Sequence, residues 1–144
     1  MPDNNRITLL IADASVLVRQ YILELLVDFE GLEQIYQCGD AVSAVLLLAQ
    51  HQPHVFILDI RLPASAELSN GIDVLRWTKK HHPTITIILL MDTDYDFARK
   101  QCLQFGADFV IDKSIDIERL PDATMQLMRR LRADAEDVPA VRPL

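Results

Sequence analysis

The sequence predicts an α/β fold: a doubly wound, five-stranded parallel sheet with a helix after each strand. Three observations point there. Short apolar runs alternate with helical periodicities along the whole chain. Two of those runs, Val55–Leu58 and Thr84–Met91, are almost continuously apolar instead of alternating, as strands buried on both faces are. The chain has 144 residues, 50% of them hydrophobic, which is enough for one domain with a proper core and too apolar for a solvated coil.

The elements follow in order. Ile7–Ala12 reads as the first strand and ends at Asp13. Val18, Ile22, Leu25 and Phe29 then recur with helical spacing, and Gly31 suits the helix stop. Glu33–Cys38 is a short second strand. Asp40 can cap a second helix reaching about Gln50, and Pro53 breaks the chain. Val55–Leu58 is the third strand, ending at Asp59. A polar loop with Pro63 and Ser65 leads to a third helix over Gly71–His81. Thr84–Met91 is the fourth strand, and Asp92–Asp94 supply caps for a helix reaching Phe105, with Gly106 at its end. Phe109–Ile111 is the fifth strand, ending at Asp112-Lys113. Leu120, Leu127 and Leu131 mark a last helix whose first turn contains Pro121. Residues 1–133 read as the domain, and 134–144, with two prolines and no periodicity, as a flexible tail.

Charge and cysteine usage narrow the function. The 14 Lys and Arg against 21 Asp and Glu leave a net charge of −7. Such a surface repels nucleic-acid backbones and anionic membranes. Cys38 and Cys102 form neither a disulfide framework nor a metal-ligand spacing. They read as reduced, buried thiols of a cytoplasmic protein. The N-terminus lacks a signal-peptide core, and no apolar run approaches the length of a membrane span. His51 and His54, with no third ligand nearby, read as a surface loop.

In a sheet of this kind ligands bind at the carboxyl ends of the strands, where the strand order switches. Those ends carry Asp13, Asp59, Met91-Asp92 and Asp112-Lys113. Two carboxylates and an ammonium on one edge can hold a hard cation, or let a carboxylate act as a nucleophile toward phosphorus. The same aspartates could instead merely cap helices at strand ends.

Five segments in register decide between these readings: Leu10–Asp13 with Arg19, Leu58–Pro63, Asn70–Leu75, Phe105–Asp108 and Asp112-Lys113. From about residue 6 to 132 the chain resembles the receiver domain of bacterial response regulators, in its single-domain, chemotaxis-regulator-like form. The resemblance implies a flavodoxin-like sheet of strand order 2-1-3-4-5. It implies that Asp59 accepts a phosphoryl group from a histidine kinase or phosphotransfer protein, and that Lys113 contacts that group. Mg²⁺ would be held by Asp13, Asp59 and the backbone carbonyl of Arg61. The output would be contact with a downstream protein rather than enzymatic turnover, and the family's habit allows a homodimer through the last helices.

The site departs from the family pattern. Ala14 stands where a second acid is usual, so the metal site is weakened. Met91 replaces a Ser or Thr that bonds the phosphoryl group, and Val110 replaces an aromatic switch residue; both switch positions are degenerate. Phe109, next to Val110, should face the other side of the strand. Asp92 adds a third carboxylate where a small residue is usual, and Ser114 replaces a proline. Glu67, in a loop longer than usual, is a candidate to fold back for the missing acid, as is Asp92. These changes also permit a pseudo-receiver, an interaction module independent of phosphate. Arg61 stands where a phosphohydrolase of similar chemistry would carry its second acid, and no Gly-rich loop suits a flavin or dinucleotide.

Overall fold

Five strands and five α-helices alternate along the chain in the computed structural model, which describes residues 6–63, 70–92 and 96–137. They are β1 (Ile7–Ala12), α1 (Val16–Leu26), β2 (Leu32–Cys38), α2 (Ala41–His51), β3 (Val55–Asp59), α3 (Gly71–His81), β4 (Thr86–Met91), α4 (Asp96–Gln104), β5 (Phe109–Asp112) and α5 (Leu120–Asp137). A single 3₁₀ turn, Ile117–Arg119, precedes α5. All strand pairs are parallel, in the order β2-β1-β3-β4-β5. This is the predicted doubly wound sheet.

Each central strand is buried on both faces, and its side chains divide between two cores by their alternation. Leu10, Phe56, Leu58, Ile87 and Leu89 face one way, against α2, α3 and Cys102 of α4. Leu9, Ile11, Ile57, Ile88 and Leu90 face the other way, against α1 and α5. That explains the continuous apolar runs of β3 and β4. Val110 packs in the first core and Phe109 against the second, so the two residues point to opposite faces as their adjacency requires.

Side chains set the helix starts. Ser15, Asp40 and Asn70 each accept a hydrogen bond from the backbone N–H three residues on, at 3.2, 2.8 and 3.0 Å. Gly106 has a positive φ of 108° and follows α4 closely, the ordinary glycine helix end. Pro121 sits in the first turn of α5, where its missing N–H has no helical acceptor to lose.

Three boundaries differ from the sequence reading. The first helix stops at Leu26, and Gly31 instead makes the turn into β2, where its carbonyl accepts the N–H of Ile7 at 2.7 Å. The fourth strand begins at Thr86, because Thr84 and Ile85 belong to the turn after Pro83. The last helix runs through Asp137, four residues into the stretch read as tail. Residues 133–137 are Ala, Asp, Ala, Glu and Asp, and the alanines and glutamate favour helix, while both prolines lie further on.

The topology places the site. From β1 the chain steps outward to β2, then returns to build β3, β4 and β5 on the other side. The switch therefore falls between β1 and β3, whose register pairs Ala12 with Leu58. Asp13 and Asp59 are the next residues of each strand and meet at that crevice.

Candidate phosphoryl-acceptor site

Asp13 and Asp59 are almost wholly buried, at 1% and 3% exposure. Each carboxylate is aimed by a tight turn of its own backbone. Asp13 Oδ1 accepts the N–H of Ser15 at 2.9 Å, and Asp59 Oδ1 accepts the N–H of Arg61 at 3.0 Å. Each keeps its second oxygen for the same partner. Lys113 Nζ lies 3.0 Å from Asp13 Oδ2 and 3.2 Å from Asp59 Oδ2. The lysine is delivered by β5, whose end is tied to β4 where the N–H of Lys113 donates to the carbonyl of Met91 at 2.6 Å.

Gly71 lets the loop close behind Asp59. Its N–H donates to the carbonyl of Ile60 at 2.9 Å. A Cβ there would lie 2.4 Å from the carbonyl oxygen of Asp59 and 2.6 Å from Cα of Ile60. Only glycine admits that approach. On the other side of the crevice, the Arg19 guanidinium donates to the carbonyl of Asp13 and, through Nε, to Gln37 at 3.1 Å, bracing the turn that carries Asp13.

The electrostatics follow from this burial. Desolvation pushes the Asp59 carboxyl above the usual carboxylate range. The Arg61 amide opposes this, the Asp13 charge adds to it, and Lys113 offsets part of it. For Lys113, desolvation acts to lower the pKa. The hydrogen bond to Asp13 and the charges of Asp59 and Asp13 outweigh it, so the ammonium titrates above its ordinary value. The site is thus a buried acid pair carrying an excess of negative charge, held by one cation.

The other sequence-predicted positions are also placed. Met91 and Val110 are buried in the first core, at 4% and 8% exposure, and offer the crevice no donor. Ala14 is exposed. Asp92 does reach the site, its Oδ1 3.6 Å from Lys113 Nζ and its Oδ2 3.1 Å from Arg61 Nε. Glu67 lies outside the described residues. Among the described residues, no three His, Cys, Asp or Glu side chains are grouped as a metal ion would need. His51 stacks on Tyr36 with ring centroids 4.0 Å apart, and His54 Nδ1 accepts the N–H of Thr8 at 3.1 Å. The two histidines thus serve the fold separately.

Two features were not read from the sequence. The Arg61 side chain, not only its carbonyl, belongs to the site, through its ion pair with Asp92. The second is the way Asp112 is held: it is buried, and its Oδ1 accepts both the N–H and the hydroxyl of Ser114, at 2.9 and 2.6 Å. Those bonds hold its carboxyl below the usual range. Its Oδ2 is buried with no hydrogen-bond partner among the described residues. The Ser at 114 in place of the family's proline was the available signal, since proline has no N–H to close this turn and Ser adds a hydroxyl donor.

The pattern of the response regulator receiver domain matches residues 9–125. The chain belongs to that family. Response regulator GacA of Pseudomonas protegens is 25% identical over 117 residues, covering 81% of this chain and 53% of that protein. A protein-glutamate methylesterase/protein-glutamine glutaminase of Treponema pallidum is 30% identical, over 99% of this chain and 39% of that protein. The chain thus spans about half the length, or less, of the curated relatives it matches. Among solved structures, a signal receiver domain from Vibrio parahaemolyticus superposes with a TM-score of 0.82 at 20% identity, covering 93% of this chain and 98% of that one. That receiver domain shares the flavodoxin-like fold, with the strand order 2-1-3-4-5 found here. Receiver domains are the signalling modules of two-component systems, generally without enzymatic activity of their own. No described helix is long and apolar enough to cross a membrane.

Proposed function

We propose that Asp59 of this receiver domain accepts a phosphoryl group from the phosphohistidine of a histidine kinase or phosphotransfer protein, and that the modified domain signals by contact with a downstream protein. The observation that carries this is the lysine bridge: Lys113 Nζ spans two buried strand-end carboxylates at 3.0 and 3.2 Å. An ammonium so placed can follow the charge onto a phosphoryl oxygen, as electrostatic stabilisation requires. In the transfer, a carboxylate oxygen of Asp59 attacks phosphorus and a P–O bond forms. The P–N bond of the donor breaks, and its electron pair stays on the imidazole nitrogen, which takes up a proton. Desolvation raises the pKa of Asp59, while the Arg61 amide and Lys113 both favour the ionised carboxylate that the attack requires.

Receiver domains bind Mg²⁺ at their acidic pocket, and the donors here are of the right kind. Mg²⁺ takes oxygen ligands, often one or two carboxylates with phosphate and water completing the shell. Asp13, Asp59 and the Arg61 carbonyl would hold it, weakly in the absence of an acid at Ala14. When bound, the ion neutralises charge on the transferring oxygens. Asp13 then serves as metal-side acid and as the fixed anchor of Lys113. Met91 and Val110 remove the usual hydroxyl-and-aromatic relay, so the change of state passes through other side chains. Acceptor and lysine stand together in the crevice, which favours phospho-acceptance over a phosphate-independent module.

Intact-protein mass spectrometry after incubation with phosphoramidate, with and without Mg²⁺, tests the reading. A single phosphate adduct is expected, dependent on Mg²⁺ and absent from Asp59→Asn. An adduct that survives in Asp59→Asn would move the acceptor elsewhere.

A further inference from the structure

Three carboxylates share one ammonium at this site, and they do not share it equally. Lys113 Nζ is 3.0 Å from Asp13 and 3.2 Å from Asp59 but 3.6 Å from Asp92, beyond hydrogen-bond reach. Asp92 is instead held by Arg61, at 3.1 Å. Its environment differs as well. The Asp13 and Asp59 side chains are 2% and 5% exposed, whereas that of Asp92 is 35% exposed and that of Arg61 68%. A half-solvated ion pair is cheap to break, and its carboxylate can turn to water. A buried carboxylate cannot leave at low cost. Of the three acids, Asp92 is therefore the one that can be displaced.

A phosphoryl group on Asp59 would bring about −1.5 to −2 charges and three acceptor oxygens into the space beside Lys113. It would repel Asp92 and compete for both of its cations. Guanidinium suits this role, since its planar donors match phosphate oxygens. With Met91 unable to donate, Arg61 is the described side chain already placed beside the acceptor turn with donors to offer.

Resting on the acceptor reading of Asp59, we propose that Asp92 is a displaceable counter-carboxylate: in the unmodified domain it occupies Arg61 and the outer side of Lys113, and the phosphoryl group takes over both cations and expels it. Asp92 is thus a positioning residue that restrains phosphorylation. Arg61 becomes the second phosphoryl-contacting side chain, in place of the missing hydroxyl. The competing role, Asp92 as the replacement metal acid, finds no support in the geometry. Its carboxylate lies between the two cations, one oxygen toward Arg61 and the other toward Lys113.

The test compares wild type, Asp92→Asn and Asp59→Asn. Phosphoramidate labelling is followed by intact mass, Mg²⁺ affinity by titration, and the Arg61 Nε–H resonance by NMR before and after adding beryllofluoride with Mg²⁺. Asp92→Asn should label about fivefold faster than wild type, the scale of a partly exposed ion pair, with Mg²⁺ affinity unchanged. The Arg61 Nε–H signal should move in metal-free Asp92→Asn, and in wild type on beryllofluoride binding. Labelling of wild type with no acceleration in Asp92→Asn overturns the inference and leaves the acceptor reading standing. A loss of Mg²⁺ affinity in Asp92→Asn overturns it in favour of a metal ligand. Labelling of neither wild type nor Asp92→Asn overturns the acceptor reading and this inference with it.

Discussion

A carboxylate earns reactivity here by being kept where it is uncomfortable. Asp59 is buried beside a second acid, and desolvation raises its pKa despite the Arg61 amide and Lys113. The linkage has a definite sign. A carboxyl whose folded pKa exceeds its unfolded value binds more protons in the native state, so its ionisation destabilises the fold as pH rises above the unfolded value. Metal-free Asp59→Asn should therefore melt at a higher temperature than wild type at pH 7. The difference should shrink as pH falls through the raised pKa of Asp59 and vanish below 3.8, the unperturbed value. Thermal unfolding followed by circular dichroism across that range checks this; an equal or lower melting temperature for the variant at pH 7 would contradict the desolvation account. Asp112 shows the opposite arrangement. Ser114 satisfies its Oδ1 twice over and lowers its pKa, so its charge favours the fold above the unperturbed value and that contribution is lost on acidification.

At the scale of elements, the site depends on turns more than on helices. Three features set it: the Asp13–Ser15 turn, the Asp59–Arg61 turn and the close passage of Gly71 over the Asp59–Ile60 peptide. The last is the most sensitive to substitution. Gly71→Ala puts a methyl group 2.4 Å from a backbone oxygen, and neither backbone can yield without moving Asp59. A loss of about 3 kcal/mol is expected, at the upper end for overpacking, together with slower phosphoryl uptake. Urea unfolding and the labelling rate measure the two effects. The same logic explains why Asn70 precedes Gly71. Its side chain caps α3 at the N–H of Asp73, so the chain can turn from the passage over Asp59 directly into a helix. These two residues were legible in the sequence as a motif, but the reason for the glycine was not. It lies in a contact with a residue twelve positions earlier, created by the crossover from β3.

Across the whole molecule, one sheet separates two apolar cores. Both cysteines lie in the core covered by α2, α3 and α4. Burial pushes the Cys38 thiol up to about 11 and raises that of Cys102 as well. Thiolates, not thiols, react, so both residues should be nearly inert to a disulfide reagent at pH 8 in the native protein. Both should react within seconds in denaturant. Their native-state rate, compared with the opening rate from hydrogen exchange, reports whether the sheet opens as a unit. Fast reaction of one cysteine alone would show that its side of the core opens locally.

What the sequence determined by itself was everything carried by periodicity and by strand ends. Continuous apolar runs identified the buried strands, and helical spacing identified the helices between them. The parallel crossovers that this alternation demands bring Asp13, Asp59 and Lys113 to one edge. Register along a strand was equally legible, which is why Val110 and Phe109 could be assigned to opposite faces. Tertiary structure alone decided how charges are shared once they meet. Arg61 and Asp92 lie thirty-one residues apart on different strand ends, and nothing local couples them; only the β3–β4 register, Asp59 against Leu90, brings them into a pair. The same holds for the unequal hold of Lys113 on its three acids. Distance and burial set ion-pair strength, and both arise from packing between segments far apart in the chain.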